Sequence, residues 1–270
     1  MPRTTRGSAS AGRRDANLPV MEIPLFPLHA VLVPGAPLPL HIFEPRYRAL
    51  VADCLAAGEP FGVVGISAGH EVGAGLVSFA AVGTLAEIRE VTRHPDGRFD
   101  IVTIGTARFR LTGVDATRKP YLVGTGELLP EPLGDPVRVA LLAARVRARF
   151  VRYLELLQPE GDDETPDEGV DPADADDAEP RDAERATSAR ERLAEVAARL
   201  APLDDPTTLG YVVSGLVQAE LPRRQELLEA ATTEDRLAGL DALLAREVAL
   251  LARRLAPYGP DPRLAPLRRN

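Results

Sequence analysis

In 270 residues the chain has one lysine, one cysteine, no tryptophan and only 4% aromatic residues. Lys119 lies in TRKPY with no glycine-rich loop before it, so the GxxxxGK[ST] loop that holds nucleotide phosphates is absent. A single cysteine excludes an internal disulfide and any CxxC zinc site. Cys54 falls on an apolar helix face and reads as a small core side chain, not a nucleophile. The four histidines (His29, His41, His70, His94) form no HxxxH or other local ligand pair. His41, between Leu40 and Ile42, reads as structural. Gly73-Ala74-Gly75 opens GxGxxS, not a dinucleotide fingerprint, with no strand ending before it or helix opening after it. Neither a Ser/His/Asp constellation nor a cofactor loop can be drawn from the sequence.

Charge is also missing locally. Residues 23–43 contain no Asp, Glu, Lys or Arg, a run long enough to span a bilayer. The same run holds Pro24, Pro27, Pro34, Pro37, Pro39 and Gly35. Each interior proline would cost a helix about 3 kcal/mol, which excludes a membrane helix. The run is predicted as extended pieces: a strand near 20–25, a turn at Pro27-Leu28, a short strand at 31–33, a Pro34-Gly35 turn and a strand over 38–43. Glu44-Pro45-Arg46 then starts a helix, with proline tolerated in its first turn and an acid near its positive end. Tyr47, Leu50, Val51, Cys54 and Leu55 form its apolar face, and Gly58 ends it.

The rest of the first half reads as β. Strands are expected at 61–66, within 76–91 with Gly83 as a bulge or close-approach point, after 98, and at 121–129. Pro95-Asp96-Gly97-Arg98 is a hairpin turn. The strand from Phe99 is apolar on both faces and is placed centrally. The second half reads as helical. Val137, Leu141, Ala144, Ala148, Val151 and Leu154 make one predicted face, and Leu193, Val196, Ala197 and Leu200 another. Asp205 caps a Pro206-led helix with Leu209, Val212, Val213, Leu216 and Val217 inward. Pro222 opens a short helix, and a long one follows Thr232 with Leu240, Leu244, Val248, Leu251 and Leu255 as its stripe. Arg138, Arg145, Arg149 and Arg152 share a face of the first of these helices. They read as a solvated face, a phosphate-binding stripe, or a partner for acidic residues downstream.

The net charge of -8 is concentrated. Residues 159–184 carry 13 acidic residues and one arginine, leaving the remainder close to neutral. With Val170 as its one large apolar residue, that segment cannot offset its ordering entropy and is predicted to be a disordered insertion. Residues 1–17 read as a disordered, Arg-rich tail. Arg13-Arg14 is followed by no apolar region or cleavage site of an export signal, so a cytoplasmic protein is expected.

The order and spacing of several segments carry a family resemblance. PLFPLHAVLVPGAPLPLHIFEPRYRALVADCL, FGVVGI, VGTLAEIREV, PDGRFDIVTIGTARFRL and PYLVGTGEL follow one another through residue 128, and 221–255 matches more loosely. Together they resemble the LON substrate-binding domain, the amino-terminal domain of Lon protease, and most of all members that carry this domain alone.

That resemblance implies an α+β chain: a PUA-like small β-barrel over 18–132, then a helical bundle over 133–257 interrupted by the acidic insertion, and a tail at 258–270. It implies a polypeptide-binding module with no ATPase, no Ser–Lys peptidase, no cofactor and no metal. Unfolded or exposed apolar polypeptides are the expected partners, with Lon protease or another protein complex as further candidates. Nucleic acid and membrane are not expected, although a PUA-like RNA-binding protein stands as the alternative. The candidate protein-binding residues are Phe26, Leu28, Leu32, Pro34, Phe43, Glu44, Arg46 and Tyr47. Phe26, Leu28 and Leu32 are expected to be exposed in the 26–37 turns, because loops carry binding more often than buried faces do.

Overall fold

A computed structural model describes residues 20–67, 78–157 and 203–255. The first half forms a seven-stranded sheet: β1 (Val20–Leu28), β2 (Pro37–Ile42), β3 (Phe61–Ser67), β4 (Ser78–Phe79), β5 (Val82–Arg93), β6 (Phe99–Asp115) and β7 (Leu122–Leu128). Helix α1 (Pro45–Ala57) lies between β2 and β3. Among the described residues four more helices follow: α2 (Pro136–Leu156), α3 (Pro206–Leu216), α4 (Leu221–Glu229) and α5 (Thr233–Leu255). The protein is thus a mixed α/β structure.

The strands run β1-β7-β6-β5-β3-β4, all antiparallel neighbours, and β2 pairs with β6. β1 also pairs in parallel with β3, so the path through β1, β7, β6, β5 and β3 returns to its start. The two prolines of β1 are admitted by this arrangement. Pro24 lies where β1 pairs with β7, and Pro27 lies beyond Leu25, where the partner is β3. Each proline therefore has one strand neighbour and can turn its missing donor away from it. That is why β1 continues through Leu28, past the predicted turn at Pro27-Leu28. β2 alternates as predicted, with Leu38, Leu40 and Ile42 toward the core and Pro37, Pro39 and His41 exposed.

The predicted strand at 31–33 is instead an irregular but buried segment that ends in the Pro34-Gly35 turn. Gly35 adopts φ 81°, and Ala36 N donates to Val33 O at 3.1 Å. Gly83 is a close-approach point: a Cβ there would lie 2.6 Å from both Phe109 Cζ and Val63 O. The β5–β6 register shifts fall after it, between Thr84 and Ala86 and between Ile88 and Glu90. The hairpin turn has Gly97 at φ 82°, and Gly58 closes α1 at φ 68°.

The helices pack around their own apolar cluster, with Val146, Phe150, Leu209, Val213, Leu240 and Leu244 at its centre. Here the predicted α2 face is wrong. Val137 and Leu141 are 71% and 63% exposed, Ala144, Ala148 and Val151 are also exposed, and only Leu154 of that set packs inward. The buried face is Val139, Val146, Phe150 and Tyr153. Two large aromatics remove more apolar area from water than the alanines opposite them. Ion pairs fix the same rotation. Arg138 meets Glu234 at 3.0 Å, while Arg145 and Arg149 meet Asp241 at 2.6 and 2.5 Å. Three of the four predicted stripe arginines therefore hold α2 to α5. The fourth, Arg152, pairs with Glu155 on its own helix.

Asp205 caps α3 by accepting from the amides of Thr207 and Thr208, and the hydrogen bonds from Thr208 and Thr207 hold its carboxyl below the usual range. The expectations for residues 1–17, for the GxGxxS turn, for the acidic segment, for the 193–200 face and for the 258–270 tail lie outside the described residues.

Candidate functional site

A groove of about 640 Å³ opens where the sheet meets the helices. One wall is the β1–β2 connection: Leu28, Ala30, Val31, Leu32, Val33 and the Pro34-Gly35 turn, running into Ala36–Leu38 of β2. The facing wall comes from α3 and its approach, with Leu203, Tyr211, Val212, Gly215 and Leu216, and from Arg224 of α4. A second groove of about 610 Å³ lies on the other side of Leu28–Val31, against Phe79, Leu221, Gln225 and Glu229. The connection between β1 and β2 is therefore a ridge with an open groove on each side.

Local sequence explains the ridge. Pro34 and Gly35 force a tight turn, and Gly35 N donates to Gly105 O at 2.8 Å while Gly105 N donates to Ala36 O at 3.0 Å. Thr84 Oγ1 donates to Leu32 O at 2.7 Å from beneath. Val31, Val33, Val82, Tyr211 and Leu228 form a small cluster under the groove floor. Leu32 O, Val33 O, Gly35 N and Ala36 O of this wall are thus hydrogen-bonded within the protein, which lets the segment present apolar side chains to the groove.

The helices are held against the sheet by a buried polar network. Arg108, 2% exposed, donates to Glu131 Oε1 at 2.6 Å and to the carbonyls of Leu228 and Ala230 at 2.6 and 2.7 Å. Tyr211 donates to the same Glu131 oxygen, and Arg236 reaches Glu131 Oε2 at 3.4 Å while lying 3.9 Å over the Tyr211 ring. Burial pushes the Tyr211 phenol well above its ordinary value against the opposing pull of Arg236. Burial likewise lowers the Arg236 guanidinium.

The predicted site residues divide into two groups. Leu28, Leu32 and Pro34 line the first groove. Leu32 shows it mainly its edge, because its side chain is 6% exposed. Phe26, predicted to be exposed, is buried at 6% and packs against Tyr47, the rings tilted by 32° with centroids 4.2 Å apart. The cause is the continuation of β1, which carries Phe26 into the sheet core with Phe61. Phe43, Glu44 and Arg46 sit away from the groove at the start of α1, where Arg46 Nε donates to Glu44 at 2.8 Å and stacks on Tyr47. Phe43 is exposed and stacks beside His41.

Sequence reasoning missed Tyr211, Val212, Gly215, Leu216 and Arg224. The available signal was LGYVVSGLV at 209–217, apolar on every side. A helix apolar all round has two faces to cover, and here the second face, with Leu216 at 45% exposure, opens on the groove. The hairpin also brings together two histidines that sequence kept apart. His41 Nδ1 and His94 Nε2 lie 2.5 and 2.6 Å from the two oxygens of Asp100, and these hydrogen bonds hold the Asp100 carboxyl below its ordinary range. Among the described residues no group of three or more His, Cys, Asp or Glu side chains is placed to hold a metal. Among them, too, no helix is long and apolar enough to cross a membrane.

Comparison with known proteins agrees with this geometry. Lon protease 1 of Thermus thermophilus is 26% identical over 230 residues, which is 84% of this chain and 25% of that protein. The chain thus spans about a quarter of the length of that relative. The crystal structure of a Lon N-terminal domain protein from Xanthomonas campestris matches with a TM-score of 0.52 at 25% identity, covering 82% of this chain and 98% of that one. The N-terminal domain of a Mycobacterium avium complex Lon protease shares the fold, with a TM-score of 0.56 at 16% identity over 85% of this chain and 98% of that one. The family model for the ATP-dependent protease La (LON) substrate-binding domain matches residues 22–246. With that match across most of its length, the chain belongs to the LON substrate-binding domain family.

Proposed function

We propose that this chain is a non-catalytic binding module that holds unfolded or exposed apolar polypeptide in the groove between the β1–β2 ridge and α3. In this reading the closed strand path is a PUA-like barrel spanning 18–132, and the helices from 133 to 257 are a bundle against which the barrel wall is set. The observation that carries it is the groove itself: about 640 Å³, apolar on both walls, and built on backbone tied down from below. Its size and lining are those of sites that accept small ligands or short peptide segments.

The edge of β2 argues against binding by strand addition. Gly105 N donates to Ala36 O, so in the antiparallel alternation the backbone groups of Leu38, Leu40 and Ile42 point to β6, and those of Pro37, Pro39 and His41 point to the open edge. Two prolines on that edge remove donors an added strand would need. The apolar walls favour side-chain capture in the groove instead. A role without catalysis fits the setting of Lys119, whose Nζ is committed to Asp53 Oδ2 at 3.0 Å. Against the RNA reading, Arg138, Arg145 and Arg149 are ion-paired to α5 and form no open basic stripe. We place the protein in the cytoplasm, acting alone or beside Lon protease.

The test is fluorescence anisotropy of a labelled, unfolded apolar peptide with Leu216→Asp. Leu216 is half-exposed on the groove, so the variant should keep its melting temperature and bind at least tenfold more weakly. Unchanged affinity in a stably folded variant removes the groove from consideration.

A further inference from the structure

Helix α4 separates the two grooves and turns consecutive side chains to opposite sides. Gln225 lines the second groove, donating to Val82 O at 3.0 Å and to Glu229 at 2.8 Å. Arg224 lines the first. Its neighbours in charge are all satisfied: Arg223 pairs with Glu226, and Arg108 and Arg236 share Glu131. Arg224 has no carboxylate partner among the described residues, and its Nε is buried without a hydrogen-bond acceptor. Among the described residues no acidic side chain lines the groove. A buried donor on a charged group is costly to leave unpaired, and such exceptions are few in folded proteins. A guanidinium is a planar fork whose natural complement is a carboxylate.

We infer that the first groove captures the free C-terminal end of an apolar polypeptide, with Arg224 anchoring the terminal carboxylate. The inference rests on the polypeptide-binding reading and sharpens it. Apart from Arg224 the walls are apolar, chiefly Leu28, Val31, Val212 and Leu216. An acidic side chain would supply the anion at the expense of one apolar position. A chain terminus supplies it from the backbone and leaves every side chain free to be apolar. The groove's volume, about 640 Å³, is enough to take a short peptide end. C-terminal carboxylate capture is also a recurring mode of peptide recognition.

The test uses the full chain and three labelled peptides of one apolar sequence: the free acid, its C-terminal amide, and the amide carrying one internal glutamate. The free acid should bind at least tenfold more tightly than either amide. Arg224→Gln should reduce the free acid to the level of its amide and leave the amide unchanged, with the melting temperature preserved. Arg224→Lys should recover part of the difference. Equal binding of acid and amide by the unaltered protein overturns the carboxylate assignment, even where Leu216→Asp still weakens both and the groove reading stands. The glutamate amide matching the free acid overturns the terminal assignment. Failure of all three peptides to bind removes both this inference and the polypeptide-binding reading.

Discussion

Arg108 on β6 and Glu131 in the β7–α2 connection are joined by a 2.6 Å ion pair, and the arginine is almost fully buried. The same carboxylate accepts from Tyr211 of α3 and Arg236 of α5. One side chain therefore ties the sheet to two helices at the base of the groove. Glu131→Ala would leave two buried guanidiniums without their anion, which is where the cost of breaking a buried pair arises. A loss of about 3–5 kcal/mol is expected in chemical denaturation. Glu131→Gln, which can still accept hydrogen bonds, should lose less. A loss below about 1 kcal/mol for the alanine variant, the range of a surface pair, would show that the network does not hold the helices.

Gly105 fixes the ridge to the sheet. A Cβ there would lie 2.4 Å from Val33 O, a backbone atom that cannot turn aside. Gly105→Ala should force the 33–36 turn outward and cost about 1–3 kcal/mol, as overpacking does. Peptide binding should weaken with it. Gly113→Ala on the same strand is the control, because its Cβ would meet only Thr125 at 3.8 Å. Equal thermal stability of the two variants would mean that the ridge tolerates displacement.

Cys54 is buried on the inner face of α1, and burial pushes its thiol up to about 12. The thiolate is the reactive form, so modification by a thiol reagent at pH 8 should be slow until the protein is unfolded. The raised value also sets a sign. The folded state disfavours the thiolate, so this contribution to stability is full below about pH 8.5, the unfolded thiol value, and is lost as pH rises toward 12. Cys54→Ala should flatten that alkaline decline. Rapid native labelling at pH 8 would contradict the burial.

What sequence made legible was local. The Pro34-Gly35 turn, the Glu44–Gly58 helix, the Gly97 hairpin and the Asp205 cap each rest on a few neighbouring residues, and each stands where it was placed. What it hid depended on distant partners. β1 continues past Pro27 only because β3 replaces β7 as its neighbour. α2 turns Phe150 and Tyr153 inward onto a cluster built by α3 and α5, and Arg145 and Arg149 then meet Asp241, some ninety residues away. For the candidate site, the ridge residues Leu28, Leu32 and Pro34 were visible as a charge-free, proline-broken run. The opposite wall was not, because nothing local distinguishes Leu216, which opens on the groove, from Val213, which is buried.

Tyr47 separates a structural signature from a binding one. Its ring lies 4.2 Å from that of Phe26, packs against the sheet core, and does not line either groove. Burial raises its phenol above the ordinary value, consistent with a ring set into the protein. Tyr47→Ala should therefore destabilise the fold by about 2–4 kcal/mol, somewhat below a fully buried aromatic deletion. The fraction that remains folded should bind peptide with unchanged affinity. Phe43→Ser, at a side chain that is 60% exposed, should change stability by no more than about 0.5 kcal/mol. Denaturation curves and binding isotherms measured on both variants decide the matter. A stable Tyr47→Ala protein with weakened peptide binding would move the binding surface from the ridge to the start of α1.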